Sequence, residues 1–529
     1  MPRTETKPGG DGLDLGRRSK RSAVASFFGF SFRTFFRAGV VVGAGAICCA
    51  AIAAWGVPKR GATETGRLDR DARVLPGARP KTAMPVPGDS VLPLAPGRRL
   101  ETLTPEPGWY TEPSIAVNPR DPSEVVAAYQ DRAHVAYTTD GGRTWHVTRG
   151  TAPANYRVSG DVSVTYDDKG HAILCYIAFD QLGTSDYWAH NATRNGIFVR
   201  RSLDGGKTWQ ANDVAVIAHR TEPGIPFEDK PYVVADNTNG PYAGNLYVGW
   251  THFTLENSTM LFSRSTDDGK TWSAPVTISR KPGLPRDDTG AIEGFDAAVG
   301  PDGTIYAVWS DGMHLVLAIS RDGGKHFGAP REIVQTAAAY FKPASVSRGD
   351  GFPQIAIDPR GGARGGPIYV CWTDYRNGDI DVFVSRSLDH GKTWSPAIRV
   401  NDDPVHDGAD QFMQWAATDP VTGDLYVLFY DRRADPENVR ATITLARSSD
   451  NGRTFRNYAL TQTPFDPDDA FIGDYSGLAA YNGCVYGAWT EQTASPERER
   501  GRRSHRPHSV IRVGMARFAG ASGRAQACR

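Results

Sequence analysis

The chain has 529 residues, of which 40% are hydrophobic and 22% are charged, so most of it should be globular rather than disordered. Sixty Lys and Arg residues balance 59 Asp and Glu residues, and this net charge of +1 gives no electrostatic footprint for nucleic acid. Six cysteines without zinc-ligand spacing exclude a disulfide-scaffolded fold and give no indication of a metal or cofactor site.

The N-terminal region predicts a membrane-targeting segment. Residues 1–37 form a basic leader, followed at 38–57 by an uncharged apolar run that would span about 30 Å as a helix, the hydrocarbon thickness of a bilayer. The basic flank favours a cytoplasmic N-terminus. We expect a transmembrane helix or signal anchor at 38–57 that holds the later residues outside the cytoplasm. Secretion after signal cleavage is the alternative.

A linker and then a repeat follow the apolar run. Residues 58–108 are rich in Pro, Gly and Arg and predict a semi-stiff spacer. From residue 109, the motif Ser/Thr-x-Asp-x-Gly-Lys/Arg-Thr/His-Trp/Phe occurs six times. Its aspartates are Asp140, Asp204, Asp267, Asp322, Asp389 and Asp450. An Asp near a Gly can fold its carboxylate onto nearby amides, so we interpret the six motifs as structural turns rather than catalytic groups.

Each motif belongs to a larger unit of about 60 residues. An inner apolar segment such as PYVV (231–234) leads through a turn to an aromatic-rich strand such as LYVGW (246–250), and a third strand enters the motif. Seven units begin near residues 112, 161, 229, 295, 352, 411 and 474, and only the seventh lacks the motif. Four-stranded antiparallel units arranged radially are β-propeller blades. The predicted fold is therefore an all-β propeller over 109–519 with seven blades, or alternatively six, and a tail at 520–529.

The blade topology also predicts which residues surround the central mouth. Turns alternate between the two faces, so the motifs should lie opposite the mouth, where inner strands start and second strands end. Carboxylates at those inner-strand starts are Glu112, Asp161, Asp229, Asp296, Asp410 and Asp474. Guanidinium groups of Arg376, Arg433 and Arg440 could hold a carboxylate bidentately, which predicts a subsite for an acidic ligand. Structural ion pairs between blades are the alternative interpretation.

The repeated motif is similar to the Asp-box of the sialidase (neuraminidase) superfamily, and the resemblance covers residues 109–519. It is strongest in NVRATITLARSSDNGRTF and DYSGLAAYNGCVYGAWTE. The resemblance implies that Arg440 and Arg376 grip a substrate carboxylate, that Tyr475 is the nucleophile, and that Glu491 orients an arginine. A neutral phenol avoids the charge repulsion that a carboxylate nucleophile would meet at an anomeric carbon bearing a carboxylate.

The sequence departs from the sialidase pattern in three places. Tyr-Thr-Glu-Pro at 110–113 replaces the first arginine motif, and Phe-Pro-Gln at 352–354 replaces the glutamate that should activate the tyrosine. The short loop at 130–133 leaves Asp131 as its only acid, so Asp131 or Asp474 would donate the proton. Two hypotheses follow: an exported exo-glycosidase acting on terminal acidic sugars, or a non-catalytic propeller that binds a glycan, peptide or cell-wall component.

Overall fold

The computed structural model describes residues 75–76, 92–130, 132–148, 150–180, 194–220, 226–286, 290–337, 340–362, 365–493, 508–520 and 528. The regular secondary structure of the described residues consists of β-strands. These residues contain no helix that could span a membrane. The predicted leader (1–37) and apolar segment (38–57) lie outside the described residues, as does Asp131.

Seven four-stranded antiparallel sheets form the blades, which confirms the predicted count of seven. In blades one to three the strands are Ser114–Val117, Val125–Tyr129, His134–Thr138 and His146–Val147; Val158–Tyr166, Ala172–Phe179, Arg194–Ser202 and Val214–Arg220; and Phe227–Ala235, Leu246–Phe253, Ser258–Ser265 and Val276–Thr277. In blades four to six they are Glu293–Val299, Ile305–Ser310, His314–Ser320 and Arg331–Gln335; Gln354–Ile357, Ile368–Asp374, Asp381–Ser387 and Ile398–Arg399; and Gln411–Thr418, Leu425–Asp431, Thr442–Ser448 and Arg456–Ala459.

The seventh blade closes the ring with a strand from the N-terminal side. Its inner three strands are Gly477–Tyr481, Cys484–Gln492 and Ser509–Arg517, and its outer strand is Arg99–Thr102. Arg99 pairs with Met515 and Thr102 with Arg512, so part of the predicted 58–108 linker belongs to the propeller. This closure explains the missing seventh motif, because no hairpin joins the third and fourth strands of this blade.

The core consists of the faces between neighbouring blades. Each inner strand contacts the inner strand of the next blade, and the seventh contacts the first. The aromatic-rich second strands are covered on both sides, and their tryptophans Trp250, Trp309, Trp372 and Trp489 are fully buried. Each such ring contributes roughly 5 kcal/mol of transfer free energy by buried area. This burial explains why the second strands are apolar throughout rather than alternating.

The described residues also contain a short three-stranded sheet and one disulfide bond. The sheet consists of Leu75–Pro76, Tyr340–Lys342 and Gly349–Asp350. Cys484 and Cys528, whose pairing the sequence left open, form a disulfide between the second strand of blade seven and the C-terminal segment. Cys175 and Cys371 are buried and unpaired.

The six repeated motifs are turns, as predicted, each joining the third and outer strands of its blade. In the first, Asp140 Oδ1 accepts the amide of Thr144 at 2.9 Å, and Oδ2 accepts the Thr144 hydroxyl at 2.7 Å. Thr138 Oγ1 donates to Asp140 at 2.8 Å and accepts the amide of Gly142. In the fourth motif His326 replaces the threonine, and its Nδ1 lies 2.7 Å from Asp322 Oδ2. The motif is therefore satisfied internally.

The motifs lie on the face that carries the turns between first and second strands. A Cβ added at Gly205, inside the second motif, would lie 2.5 Å from Glu124 in the first turn of blade one. The Asn118 side chain in that same turn donates to the Gly170 carbonyl of the corresponding turn in blade two, at 3.4 Å. The starts of the inner strands therefore lie at the opposite face, which we call the hub face.

Candidate functional site

A backbone irregularity recurs where the inner strands begin at the hub face. Four blades place a side-chain-bearing residue there with positive φ: Glu112 (54°), Asp161 (43°), Lys230 (48°) and Met413 (49°). Gly294 and Gly473 take the corresponding place in blades four and seven. Strand pairing shifts register around the step in blades two, three, four and six. Because left-handed backbone costs a non-glycine residue about 1 kcal/mol or more, this repeated strain marks the hub face.

Two cations join carboxylates from several blades at the hub face. Arg348 Nε donates to Asp474 Oδ1 at 2.7 Å, and its Nη2 contacts the other oxygen. Lys230 Nζ lies 3.3 Å from Asp474 Oδ2, 3.1 Å from Glu293 Oε1 and 3.3 Å from Asp229 Oδ2. Apart from the partly exposed Arg348, all of these side chains are buried. The pairs therefore tie blades three, four and seven together at the centre of the wheel.

Glu112 lies beside this cluster, and its burial shifts the carboxyl group towards the protonated form. Its Oε1 accepts the Asp474 amide at 3.2 Å, whereas Oε2 is buried and makes no hydrogen bond within the described part of the chain. Burial, followed by the negative charge of Asp474, raises the pKa of Glu112 to about 8, although Lys230 and Arg348 oppose the shift. Glu112 can therefore exchange a proton close to neutral pH.

Asp161 is a second buried carboxyl group with a raised pKa. Burial raises the pKa of Asp161 well above its ordinary value, and the nearby charges of Glu112 and Asp229 add to the effect. Its Oδ2 accepts the Lys230 amide at 3.4 Å. Asp161 and Glu112 occupy the same irregular step in neighbouring blades, so the strained backbone brings together two carboxyl groups whose pKa values are raised.

Tyr475 is partly exposed beside these carboxyl groups. Its hydroxyl donates to the Val162 carbonyl at 3.3 Å, and its ring centroid lies 6.1 Å from that of Trp415. Burial, then the charges of Glu112, Asp161 and Asp474, raise the pKa of the phenol well above its usual value. The phenol is therefore neutral at physiological pH and needs a base to become a nucleophile.

Tyr475 also lines a small cavity at the mouth. The cavity holds about 30 Å³, and its wall includes Tyr232, Asp296, Phe352, Gln354, Trp415 and Tyr475. This volume accommodates water rather than a sugar ring. Asp296 in the wall accepts the amides of Ala297 and Ile355, each at 2.8 Å, and burial raises its pKa to about 7. A larger ligand would have to lie across the mouth and insert only a small group.

The predicted site residues divide into two groups. Tyr475 and Asp474 lie among the paired charges of the hub face. Arg376 follows the strand that ends at Asp374 and donates back to that carboxylate. The Arg376 guanidinium also packs over the rings of Trp372 and Phe383, 5.3 Å and 4.7 Å from their centroids. Asp374 is buried, so this arginine satisfies a structural carboxylate in the described conformation.

The remaining predicted arginines are also paired locally. Arg433 donates to Asp431 Oδ2 at 2.7 Å, and Arg440 donates to Asp435 Oδ1 at 2.9 Å. Each of the three arginines thus has a carboxylate partner within its own blade, and their joint binding of a substrate carboxylate stays a prediction. The physical reason is local: both Arg376 and Arg433 follow a buried strand-ending aspartate by two residues and bond back to it.

Glu491 is close to an arginine, as the resemblance implies. Its Oε2 lies 3.6 Å from Arg512 Nε within blade seven, and burial raises its pKa. The two side chains come from adjacent strands, paired Glu491 to Val510 and Trp489 to Arg512. The orientation of a substrate-binding arginine by Glu491 remains a prediction.

The sequence did not indicate that Lys230 and Arg348 join carboxylates at the hub face. Lys230 follows Asp229 at the start of an inner strand, and this position alone places it at the mouth. Arg348 precedes the fifth inner strand in a stretch with no repeat, and no local signal indicates its role. Glu112 was predicted to lie at the mouth, but nothing in the sequence indicated its electrostatic effect on Tyr475.

A short part of the chain matches a known family model. The family model of the BNR/Asp-box repeat matches residues 136–147, which include the first motif. A comparison with curated proteins found no match. Among solved structures, a Hadza microbial sialidase is similar at 18% identity and a TM-score of 0.41, with 75% of this chain and 73% of that chain covered.

Two further solved structures illustrate the range of similar propellers. The intramolecular trans-sialidase from Ruminococcus gnavus is 13% identical, with a TM-score of 0.39, and 80% of this chain and 96% of that chain are covered. An α-L-arabinofuranosidase from Fusarium graminearum is 12% identical, with a TM-score of 0.41 and coverage of 69% and 95%. At these identities the likeness concerns the fold alone.

Proposed function

We propose that the hub face is a glycan-directed active site in which Tyr475 is the nucleophile and Glu112 takes its proton. The observation that carries the proposal is the buried Glu112 Oε2, which has no hydrogen-bond partner among the described residues and belongs to a carboxyl group whose pKa is about 8. A base of this pKa is better matched to a phenol than an ordinary carboxylate would be. Glu112 would therefore replace the glutamate that is missing at 352–354.

The reaction would proceed in two displacements. The Tyr475 oxygen bonds to the anomeric carbon while the glycosidic C–O bond breaks, and the phenolic proton passes to ionised Glu112. The departing oxygen takes a proton from an acid, and Asp131 remains the predicted donor. A water oxygen then bonds to the anomeric carbon as the bond to the Tyr475 oxygen breaks; the deprotonated Asp131 takes a proton from the water, and Glu112 returns its proton to Tyr475. Both oxygens of Asp474 contact cations, so we assign Asp474, Arg348 and Lys230 the role of holding the backbone beside Tyr475.

The charge balance supports a neutral sugar over an acidic one. The described residues here include five carboxyl groups, Glu112, Asp161, Asp229, Glu293 and Asp474, and two cations, Lys230 and Arg348. Burial shifts Glu112 and Asp161 towards their neutral forms, which leaves three carboxylates against two cations. An anionic sugar would meet an excess of carboxyl groups here. A carboxylate clamp by Arg376, Arg433 and Arg440 would require each arginine to leave its present partner.

A non-catalytic glycan-binding propeller is the second candidate. It is favoured by the small cavity and by the hydrogen bond that already engages the Tyr475 hydroxyl. In that case the mouth would bind the edge of a glycan without cleaving it, and Glu112 would be a protonated structural group.

We further propose that the propeller is exported and anchored through residues 38–57. The apolar run supports this topology. The disulfide between Cys484 and Cys528 supports it as well, because such bonds persist in oxidising compartments. Protease protection of the propeller in sealed spheroplasts would contradict an exported domain.

The decisive experiment compares the full-length protein with a Tyr475→Phe variant on fluorogenic sialosides and neutral glycosides. We expect turnover by the wild type and a loss of about 1,000-fold or more in the variant, because the nucleophile is removed. Tyr232→Phe is the matched control, since Tyr232 lines the same cavity. Equal rates for the wild type and Tyr475→Phe on every substrate would leave glycan binding as the function.

A further inference from the structure

Two imidazoles and a carboxylate meet at the seam between blades two and three. His219 belongs to the outer strand of blade two, Glu228 to the inner strand of blade three, and His252 to its second strand. His219 Nε2 lies 2.6 Å from Glu228 Oε1, and His252 Nδ1 lies 2.8 Å from the same oxygen. Glu228 and His252 are direct partners in the strand register. The three strands therefore bring three potential ligand atoms close together.

A hydrogen bond from Trp250 orients the Glu228 carboxylate. Glu228 is fully buried, and its second oxygen accepts the indole N–H of Trp250 at 2.5 Å. This bond fixes the plane of the carboxylate and leaves Oε1 directed at the two imidazoles. Supporting hydrogen bonds of this kind orient the ligands of metal sites in proteins. The indole N–H is fixed in turn because Trp250 is fully buried in the interface between blades.

We propose that His219, Glu228 and His252 bind a zinc ion or a similar divalent transition metal. Two imidazoles and one carboxylate are an established zinc ligand set, with ligand atoms about 2.0–2.2 Å from the ion. Neighbouring ligands of a tetrahedral ion are then about 3.3 Å apart, which small side-chain rotations here would provide. The three ligand atoms already lie within 4.8 Å of one another.

The fourth coordination position would open to solvent. The His219 and His252 side chains are 13% and 21% exposed, whereas Glu228 is closed off. Water or an anionic ligand group would complete the tetrahedron from the exposed side. Because the ligands come from two blades, the bound ion would join the outer edge of blade two to the inner strand of blade three.

A second cluster of one histidine and two carboxylates lies in blade four and differs from the seam site in its contacts. Asp311 contacts His314 Nδ1 at 3.3 Å, whereas Glu332 lies 3.7 Å from the opposite ring nitrogen, Nε2. The cluster also has one ligand atom per residue within 4.8 Å of the others, but its two carboxylates contact opposite ring nitrogens, and only one of these nitrogens can face a given ion. His314→Asn is therefore a matched control, since it removes a histidine near two carboxylates without touching the seam.

The test measures Zn²⁺ binding to the full-length protein, free of any purification tag, by isothermal titration calorimetry after chelation. His252→Asn and His219→Gln place an amide nitrogen near the original ring nitrogen, so they preserve a hydrogen bond to Glu228 but remove the metal-binding lone pair. We expect one zinc per chain and an affinity loss of about 100-fold or more in each variant, since even supporting residues contribute 10- to 100-fold. His314→Asn should bind as the wild type does.

Two results would overturn the proposal. One is the absence of stoichiometric zinc binding by the wild type, and the other is unchanged binding by the folded seam variants. If the seam variants do not fold, Co²⁺ loaded into the wild type decides the question. Intense visible absorption of tetrahedral cobalt that zinc displaces supports the site, whereas a weak octahedral spectrum contradicts it.

Discussion

The two faces of the propeller place the same kind of side chain in opposite electrostatic states. On the motif face, burial opposes ionisation of Asp140, but hydrogen bonds from Thr144 and Thr138 outweigh it and lower the pKa to about 2. On the hub face, burial and the neighbouring Asp474 raise the pKa of Glu112 to about 8. The difference arises from donors: the motif supplies them within its own turn, whereas the hub leaves Glu112 Oε2 without one.

This contrast separates structural carboxylates from reactive ones. A carboxylate that a local turn satisfies stabilises the fold and has nothing left to offer a ligand. A carboxyl group that several blades bury together resists ionisation and remains able to exchange a proton. The four predictions below test the contrast, beginning with the largest expected effect.

Arg348→Met should lower the free energy of unfolding by about 3–5 kcal/mol, because it removes the guanidinium group that contacts both oxygens of the buried Asp474. Urea denaturation measures the change. Arg99→Met is the control, since Arg99 and Glu101 are exposed and 3.8 Å apart, and it should cost at most about 1 kcal/mol. Similar losses in both variants would show that the hub pairs are no more important than surface pairs.

Glu112→Gln should make stability less dependent on pH. The pKa of Glu112 rises from 4.5 to about 8 on folding, so its contribution is full below pH 4.5 and is lost as the pH rises towards 8. The variant should match the wild type near pH 4.5 and exceed it by about 4 kcal/mol at pH 8. Urea titrations at both pH values measure this difference. A constant difference would contradict the raised pKa.

Gly206→Ala should cost about 2–3 kcal/mol through strain on the motif face. Gly206 has a φ of 91°, and an added Cβ would lie 2.6 Å from Val126 Cγ1 in the preceding blade. Gly362→Ala is the control for conformation alone, because Gly362 has a φ of 98° and no atom within 4 Å of its Cβ position. Thermal unfolding of both variants separates the clash from the φ preference, and equal losses would rule out the clash.

Asp140→Asn should cost about 1 kcal/mol at pH 7, because an amide retains only part of the motif's hydrogen bonds. The pKa of Asp140 falls from 3.8 to about 2 on folding, so its contribution is present above pH 3.8 and is lost as the pH falls through 2. Urea denaturation between pH 2 and 7 should show the two proteins converging at the acidic end. A change in the proposed glycosidase activity of this variant would mean that the two faces are not independent.

The sequence predicted the repeated turns and the blades, but it did not predict the contacts between distant blades at the hub face. Six motifs at regular spacing predicted the turns and seven blades, because each turn is satisfied by residues within a few positions. The cluster of Lys230, Arg348 and Asp474 depends on contacts between residues more than 100 positions apart, and no local pattern encodes them. The local pairing of Arg376 and Arg433 was readable, since each follows an aspartate by two residues.

The strand Arg99–Thr102 has a mechanical consequence. This short strand is the only regular β-pairing between the N-terminal side of the described chain and the third strand of blade seven, and four residue pairs hold it there. A load applied to the chain before residue 75 would meet the pairing of Leu75–Pro76 with Tyr340–Lys342 and the bridge of Leu94 to Ala459 before it reached this strand. A truncation that removes Arg99–Thr102 would leave blade seven with three strands and the ring without its closing strand.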